Sequence, residues 1–167
     1  MSNSVPAIRI LPTEQYFALV RQQLAENGQA YVRVTGVSMM PLLRHLRDGV
    51  IVVPPEKVRL GDIVLFDRRN GRYALHRVVW KGKKGFFMAG DNQWYMEKNL
   101  PYDHIVGVAA AIDRNDRRIP CGNFLLKMYA VTVSTLTFPR IYLGKLAGKL
   151  KKLLGLSKSP DRKGGCE

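Results

Sequence analysis

Only two cysteines and three histidines occur among the 167 residues, and acidic side chains are scarce as well, 13 against 27 Lys and Arg. Cys121 and Cys166 lie far apart, so neither a disulfide framework nor a four-ligand zinc site can be assembled from them. With only His45, His76 and His104 added, no structural metal site is expected, and no cofactor is called for. Long apolar runs are missing too. The longest uncharged one, Met128 to Pro139, has twelve residues, well short of the roughly 18 that a confident membrane span needs. The first thirty residues hold no basic start followed by an apolar stretch, so no secretory signal peptide is expected.

What is present is ordinary for a folded chain. Hydrophobic residues make up 46% and charged residues 24%, and the length suits one domain with short extensions and a core of normal size. The formal net charge of +14 predicts attraction to anionic surfaces, whether nucleic acid or lipid headgroups, and composition alone does not choose between them.

Leu11 to Asn27 reads as a helix, with Thr13 as N-cap, an apolar stripe of Tyr16, Phe17, Leu19, Val20 and Leu24, and Gly28 as its stop. No second helix follows, so a helix-turn-helix reader is excluded. From Tyr31 to Arg118 the pattern changes to short β-like runs at 31–34, 50–53, 62–66, 73–79, 85–89 and 105–112. Asp48-Gly49, Pro54-Pro55, Gly61-Asp62, Asn70-Gly71 and Gly90-Asp91 punctuate them, and Asn70-Gly71 predicts a two-residue hairpin. The expected organisation is a helical segment over 1–29, a β domain over 30–118 and a basic tail over 119–167.

The tail carries nine basic and two acidic residues, which is +7 and half the net charge. Leu143, Leu146, Leu150, Leu153 and Leu154 recur at helical spacing, with Lys145, Lys149 and Lys152 between them. That is the pattern of a basic amphipathic helix lying on an anionic membrane surface, the alternative being a helix packed on the β domain with solvated lysines. Few aromatics accompany the charge beyond Tyr142, so nucleic acid is not the expected partner.

One cluster carries chemistry. Thr35-Gly36-Val37-Ser38-Met39-Met40-Pro41 follows a strand, and Gly36 permits a close backbone approach just before the serine. A serine nucleophile needs a base. His76 shares a strand face with Ala74 and Val78, and histidine's ordinary pKa of about 6.5 suits a general base at neutral pH. Asp91, at the turn Gly90-Asp91-Asn92, is placed to orient an imidazole or to cap its own turn. Met39 and Met40 are candidates for lining a substrate groove or for filling the core. His45 between arginines reads as a surface residue, His104 beside Asp103 as a loop pair, and Asp62 as structural.

In their order, Gly-Val-Ser-Met-Met-Pro (36–41), Leu-Gly-Asp-Ile-Val-Leu-Phe (60–66), Leu-His-Arg-Val-Val (75–79) and Gly-Asp-Asn (90–92) resemble the boxes of type I signal peptidases. More broadly they resemble the serine peptidase group that includes the self-cleaving LexA-like repressors. The resemblance covers about residues 33 to 112. It implies a mostly β catalytic domain, here with an N-terminal helix and a C-terminal basic amphipathic helix, that binds an extended peptide or precursor protein and cuts it beside small side chains. Ser38 matches the family nucleophile, and His76 stands where the bacterial housekeeping enzymes have lysine, as in the histidine-base branch. Asp91 matches the acidic box, while Glu97 is the downstream alternative for the third member.

The departures bear on mechanism. Gly36 replaces a serine that helps hold the oxyanion in many signal peptidases, leaving the Ser38 backbone N–H and Thr35 as candidates for that role. The N-terminal membrane span of the bacterial enzymes has no counterpart; if any span exists it is 124–143, with the lysines of 145–158 cytoplasmic. A serine endopeptidase associated with a membrane is thus the leading expectation. The alternatives are LexA-like self-cleavage and a non-catalytic membrane-surface or peptide-binding module.

Overall fold

The computed structural model describes residues 12–153 apart from residue 116. Leu11, the first residue of the expected helix, and the tail beyond Leu153, with Leu154, Lys158 and Cys166, lie outside the described residues. Helix α1 covers Thr13–Asn27. Thr13 is its first helical residue rather than its cap; Pro12 occupies the cap position without a side-chain bond. Gly28 ends the helix in the left-handed conformation, φ 66°, and donates its N–H to the Leu24 carbonyl. Val20 and Leu24 are buried, whereas Leu19 turns outward.

Eight strands follow: β1 Ala30–Arg33, β2 Asp48–Val53, β3 Ile63–Asp67, β4 Tyr73–Gly82, β5 Gly85–Ala89, β6 Glu97–Leu100, β7 Ile105–Arg114 and β8 Arg117–Pro120. They form one antiparallel sheet in the order β1-β2-β7-β3-β4-β5-β6, with β8 paired to β7. The mostly β architecture expected from the alternating runs holds. Two short strands, β6 and β8, were not among those runs. The hairpin around Asn70-Gly71 is wider than two residues: Asp67 pairs with Tyr73, and Arg69 and Gly71 both take positive φ to turn the chain.

The sheet separates two cores because successive side chains alternate between its faces. Ile63 and Leu65 join Val20, Leu24, Val32, Met39 and Leu43 in one core. Val64, Phe66, Ala74, Val78, Phe86 and Met88 build the other. A final helix, α2 (Phe124–Leu153), begins well before the leucine–lysine repeat that announced it and contains Pro139. Its Leu126 packs on the first core, and Thr137 and Ile141 are buried.

The sheet's edges position the site. Among the described residues β1 pairs only with β2. Strand β4 pairs with β3 through residues 73–77 and with β5 only from Arg77 onward. Residues 73–76 of β4 therefore present an open edge, as β1 does.

Candidate active site

Ser38 sits in a turn that the core pins down from both sides. Met39 and Leu43 are buried, and Leu43 donates its N–H to the Met39 carbonyl. Downstream, the buried Asp48 accepts hydrogen bonds from Arg47, Arg114 and the Arg44 N–H, tying the end of the 34–48 segment to β7. Burial pushes the Asp48 carboxyl up, but those donors outweigh it and hold it well below the usual carboxylate range.

The Gly90-Asp91-Asn92 turn is pressed against this loop. The Asn92 N–H donates to the Ser38 carbonyl at 2.8 Å, and the Asn92 side-chain amide reaches the Val37 carbonyl at 3.3 Å. A Cβ on Gly90 would stand 2.5 Å from the Ser38 carbonyl oxygen, so only glycine fits. Gly90→Ala is expected to cost about 1–3 kcal/mol, measured by denaturant unfolding, and to slow reaction of Ser38 with a serine-directed probe.

His76 is 3% exposed. Its Nδ1 lies 3.3 Å from Glu97 Oε1, a close contact whose geometry falls short of a hydrogen bond. Glu97 is in turn gripped by Arg68 through two hydrogen bonds of 2.9 and 2.5 Å. Burial raises the Glu97 carboxyl, but neighbouring His76 and Arg68 pull it down to about 2. The sign follows from that depression. Glu97's contribution to stability is complete above the ordinary carboxylate value of 4.5 and is lost as pH falls toward 2. In acid-unfolding curves, wild type and Glu97→Gln should differ at neutral pH and converge only as pH falls below about 2.

Asp91 does not reach His76. It is buried and forms a two-point ion pair with Arg77, Nε to Oδ1 at 2.8 Å and Nη2 to Oδ2 at 2.7 Å, while Arg77 Nη1 donates to the Gly61 carbonyl. The alternation of β4 explains the choice. His76 and Arg77 are consecutive and point to opposite faces, so the carboxylate at the 90–92 turn meets the arginine and the one on β6 meets the histidine. On α2, Tyr129 lies against this pair; burial and the Asp91 charge push its hydroxyl up to about 12, keeping it a neutral O–H.

A cleft of about 280 Å³ is lined by Gly36, Ser38, Met39 and His76 of the expected residues, and not by Asp91 or Met40. Thr35, Gly36, Ser38 and Met39 line one side, and Ala74, Leu75 and His76 the other, with Gln93 and Tyr95 at its border. Phe17 from α1 stacks on Tyr73 at 3.6 Å, and both also line the cleft. Met39 is mainly core and shows only part of itself to the cleft, and Met40 is not among the lining residues. A Cβ on Gly36 would meet nothing within 4 Å, so no neighbour within the protein demands glycine there. Val32 and Arg33 of β1 and residues 73–76 of β4, on the two open strand edges, flank the space. Among the described residues no group of three or more His, Cys, Asp or Glu is disposed to hold a metal ion.

A family model described as Peptidase S24-like matches residues 2–110. The chain belongs to that peptidase-like family. The match takes in the Ser38 loop, β4 and the Gly90-Asp91-Asn92 turn, and ends inside β7, ahead of α2. No curated protein matches the chain in sequence. For this Peptidase S24-like chain, Arg68 is the site residue that the sequence reading missed. It precedes the wide turn before β4 and reaches Glu97 only because β5 and β6 fold back beside it. The only signal in the sequence was one of the two arginines of an Arg-Arg-Asn-Gly turn, which is also what a solvated loop looks like.

Proposed function

We propose that this protein is a serine endopeptidase in which Ser38 is the nucleophile and His76 its base. The observation that carries the reading is the shared cleft. Ser38 and His76 line it together, and a carboxylate held by arginine stands behind the imidazole. With Nδ1 facing Glu97, the proton belongs on Nδ1 and the lone pair on Nε2. Nε2 then takes the Ser38 Oγ proton as Oγ attacks the scissile carbonyl, and returns it to the leaving amine. Water repeats the sequence on the acyl-enzyme. The Ser38 backbone N–H and Thr35 are the groups at hand for the oxyanion.

The substrate is an extended peptide that adds between the open edges of β1 and of β4 at residues 73–76, exchanging main-chain hydrogen bonds with both. The free space over Gly36 lets its backbone come close to Ser38. Small residues beside the cut are what the likeness to signal peptidases implies.

An imidazole base loses activity as it takes up a proton, so turnover should fall on the acid side of its pH profile. In Glu97→Gln the imidazolium loses its counter-charge. The acid limb should then move to lower pH while kcat falls by about 10- to 100-fold. A pH profile unchanged by that substitution overturns Glu97 as the partner of His76. Self-cleavage is the second outcome to be read, from the intact mass of the chain after prolonged alkaline incubation. A new fragment lost in Ser38→Ala would make the chain its own substrate.

A further inference from the structure

Among the described residues, nothing covers the outward face of α2. Phe124, Met128, Val131, Phe138, Tyr142 and Leu146 recur at helical three-and-four spacing and are all exposed, Phe124 by 72%, Val131 by 67% and Tyr142 by 70%. The opposite face is the one the β domain covers, through Leu126, Thr137 and Ile141. A helix that buries one side against its domain ordinarily leaves a polar side to water; here the second side is apolar as well.

Charge says what covers it. Across its thirty residues α2 has six Lys or Arg and no Asp or Glu. Lys127, Lys145 and Lys149 are exposed along one border of the stripe. A second copy of this chain would bring an equally cationic helix and a further +14 against it. No helix among the described residues is long and apolar enough to cross a membrane. The middle of α2 is also fastened to the β domain, since Arg140 donates to the carbonyls of Asp91 and Gln93 at 2.5 and 2.7 Å. We infer that α2 lies flat on an anionic lipid surface, its outer stripe in the acyl boundary and its lysines among the headgroups.

Two further features fit this placement. Trp94 and Tyr95 are exposed beside the second half of the helix, where aromatic side chains with a polar edge suit the headgroup level. A Cβ on Gly144 would come within 2.9 Å of the Trp94 ring, so helix and aromatic turn are in close register. The 90–95 segment held by Arg140 also supplies Gln93 and Tyr95 to the cleft. The cleft therefore stands at the lipid surface. Resting on the peptidase reading, this makes the substrate a segment cut close to a bilayer.

The test is flotation of the full chain, carried as Ser38→Ala so that catalysis plays no part, with vesicles of phosphatidylcholine alone or with about one third phosphatidylglycerol. Binding to the anionic vesicles should exceed binding to the neutral ones by about tenfold or more and weaken in 0.5 M salt. The pair Met128→Glu and Tyr142→Glu should abolish it while the circular dichroism spectrum stays that of the parent. Absence of flotation, or flotation indifferent to both salt and that pair, overturns the inference. So does a lipid-free dimer that the same pair converts to monomer, because a second copy would then own the stripe. Loss of peptidase activity in some other variant leaves this result untouched, so the two readings fail separately.

Discussion

Ser38→Ala and His76→Ala should each lower turnover of a peptide substrate by about 10⁴-fold or more, with a stability cost of no more than about 1 kcal/mol for Ser38→Ala and about 2–3 kcal/mol for the buried His76. A loss of that size is about 5 to 6 kcal/mol of transition-state stabilisation. It is expected here because neither group has a substitute in the cleft. Apart from that pair, the titratable side chains lining the cleft are two tyrosines, Tyr73 and Tyr95, and the arginines Arg33 and Arg68, which do not give up their protons. A serine-directed phosphonate or β-lactone should add once to the wild-type chain by intact mass, and to neither variant. Labelling that survives in His76→Ala would keep the nucleophile and remove the base. A folded wild-type chain refractory to both reagent classes would leave a peptide-binding module on a peptidase-like fold.

The second large effect belongs to Asp91, and it is one of stability. Asp91→Ala would strand the buried Arg77 guanidinium, a change that costs about 3–5 kcal/mol for a fully enclosed pair. For a chain of this size that lowers the melting temperature by about 10 °C. Replacing both partners, Arg77→Met with Asp91→Leu, should return much of the loss, because a well-packed apolar pair removes two desolvated charges together. The control is the probe reaction. If Asp91→Ala keeps its melting temperature and loses labelling, Asp91 serves the chemistry and the Arg77 pairing is incidental.

Much of this architecture could be read from residue order, and the parts that could not have identifiable causes. The strands with β-branched or aromatic runs between glycine and proline turns lie within a residue or a few of their expected limits. Strand β6 was invisible because Glu-Lys-Asn-Leu has no apolar alternation; it exists through its pairing with β5, where Met88 faces Glu97. That pairing is also why the choice between Asp91 and Glu97 stayed open in the sequence. Which carboxylate stands beside His76 depends on sheet order, and sheet order is a long-range property. The first half of α2 was hidden by its Thr and Val content, which favours strands, and by Pro139. Burial of Thr137 and Ile141 overrides that preference, while Thr132 and Thr137 return their hydroxyl hydrogen bonds to the carbonyls four residues earlier.

The adjacency of His76 and Arg77 bears on errors of folding. These neighbours serve opposite faces of β4, one in the cleft and the other clamped to Asp91. A slip of β4 by one position against β3 would exchange them, aiming a guanidinium at Ser38 and burying an imidazole beside Asp91 and the Gly61 carbonyl. Such a molecule would lose the imidazole from its cleft and its buried ion pair in the same event. A misregistered chain would thus be marginally stable and cleared as a misfold instead of persisting with a rearranged cleft. Insertion of a single residue before His76 should therefore be far more damaging than any one substitution along β4.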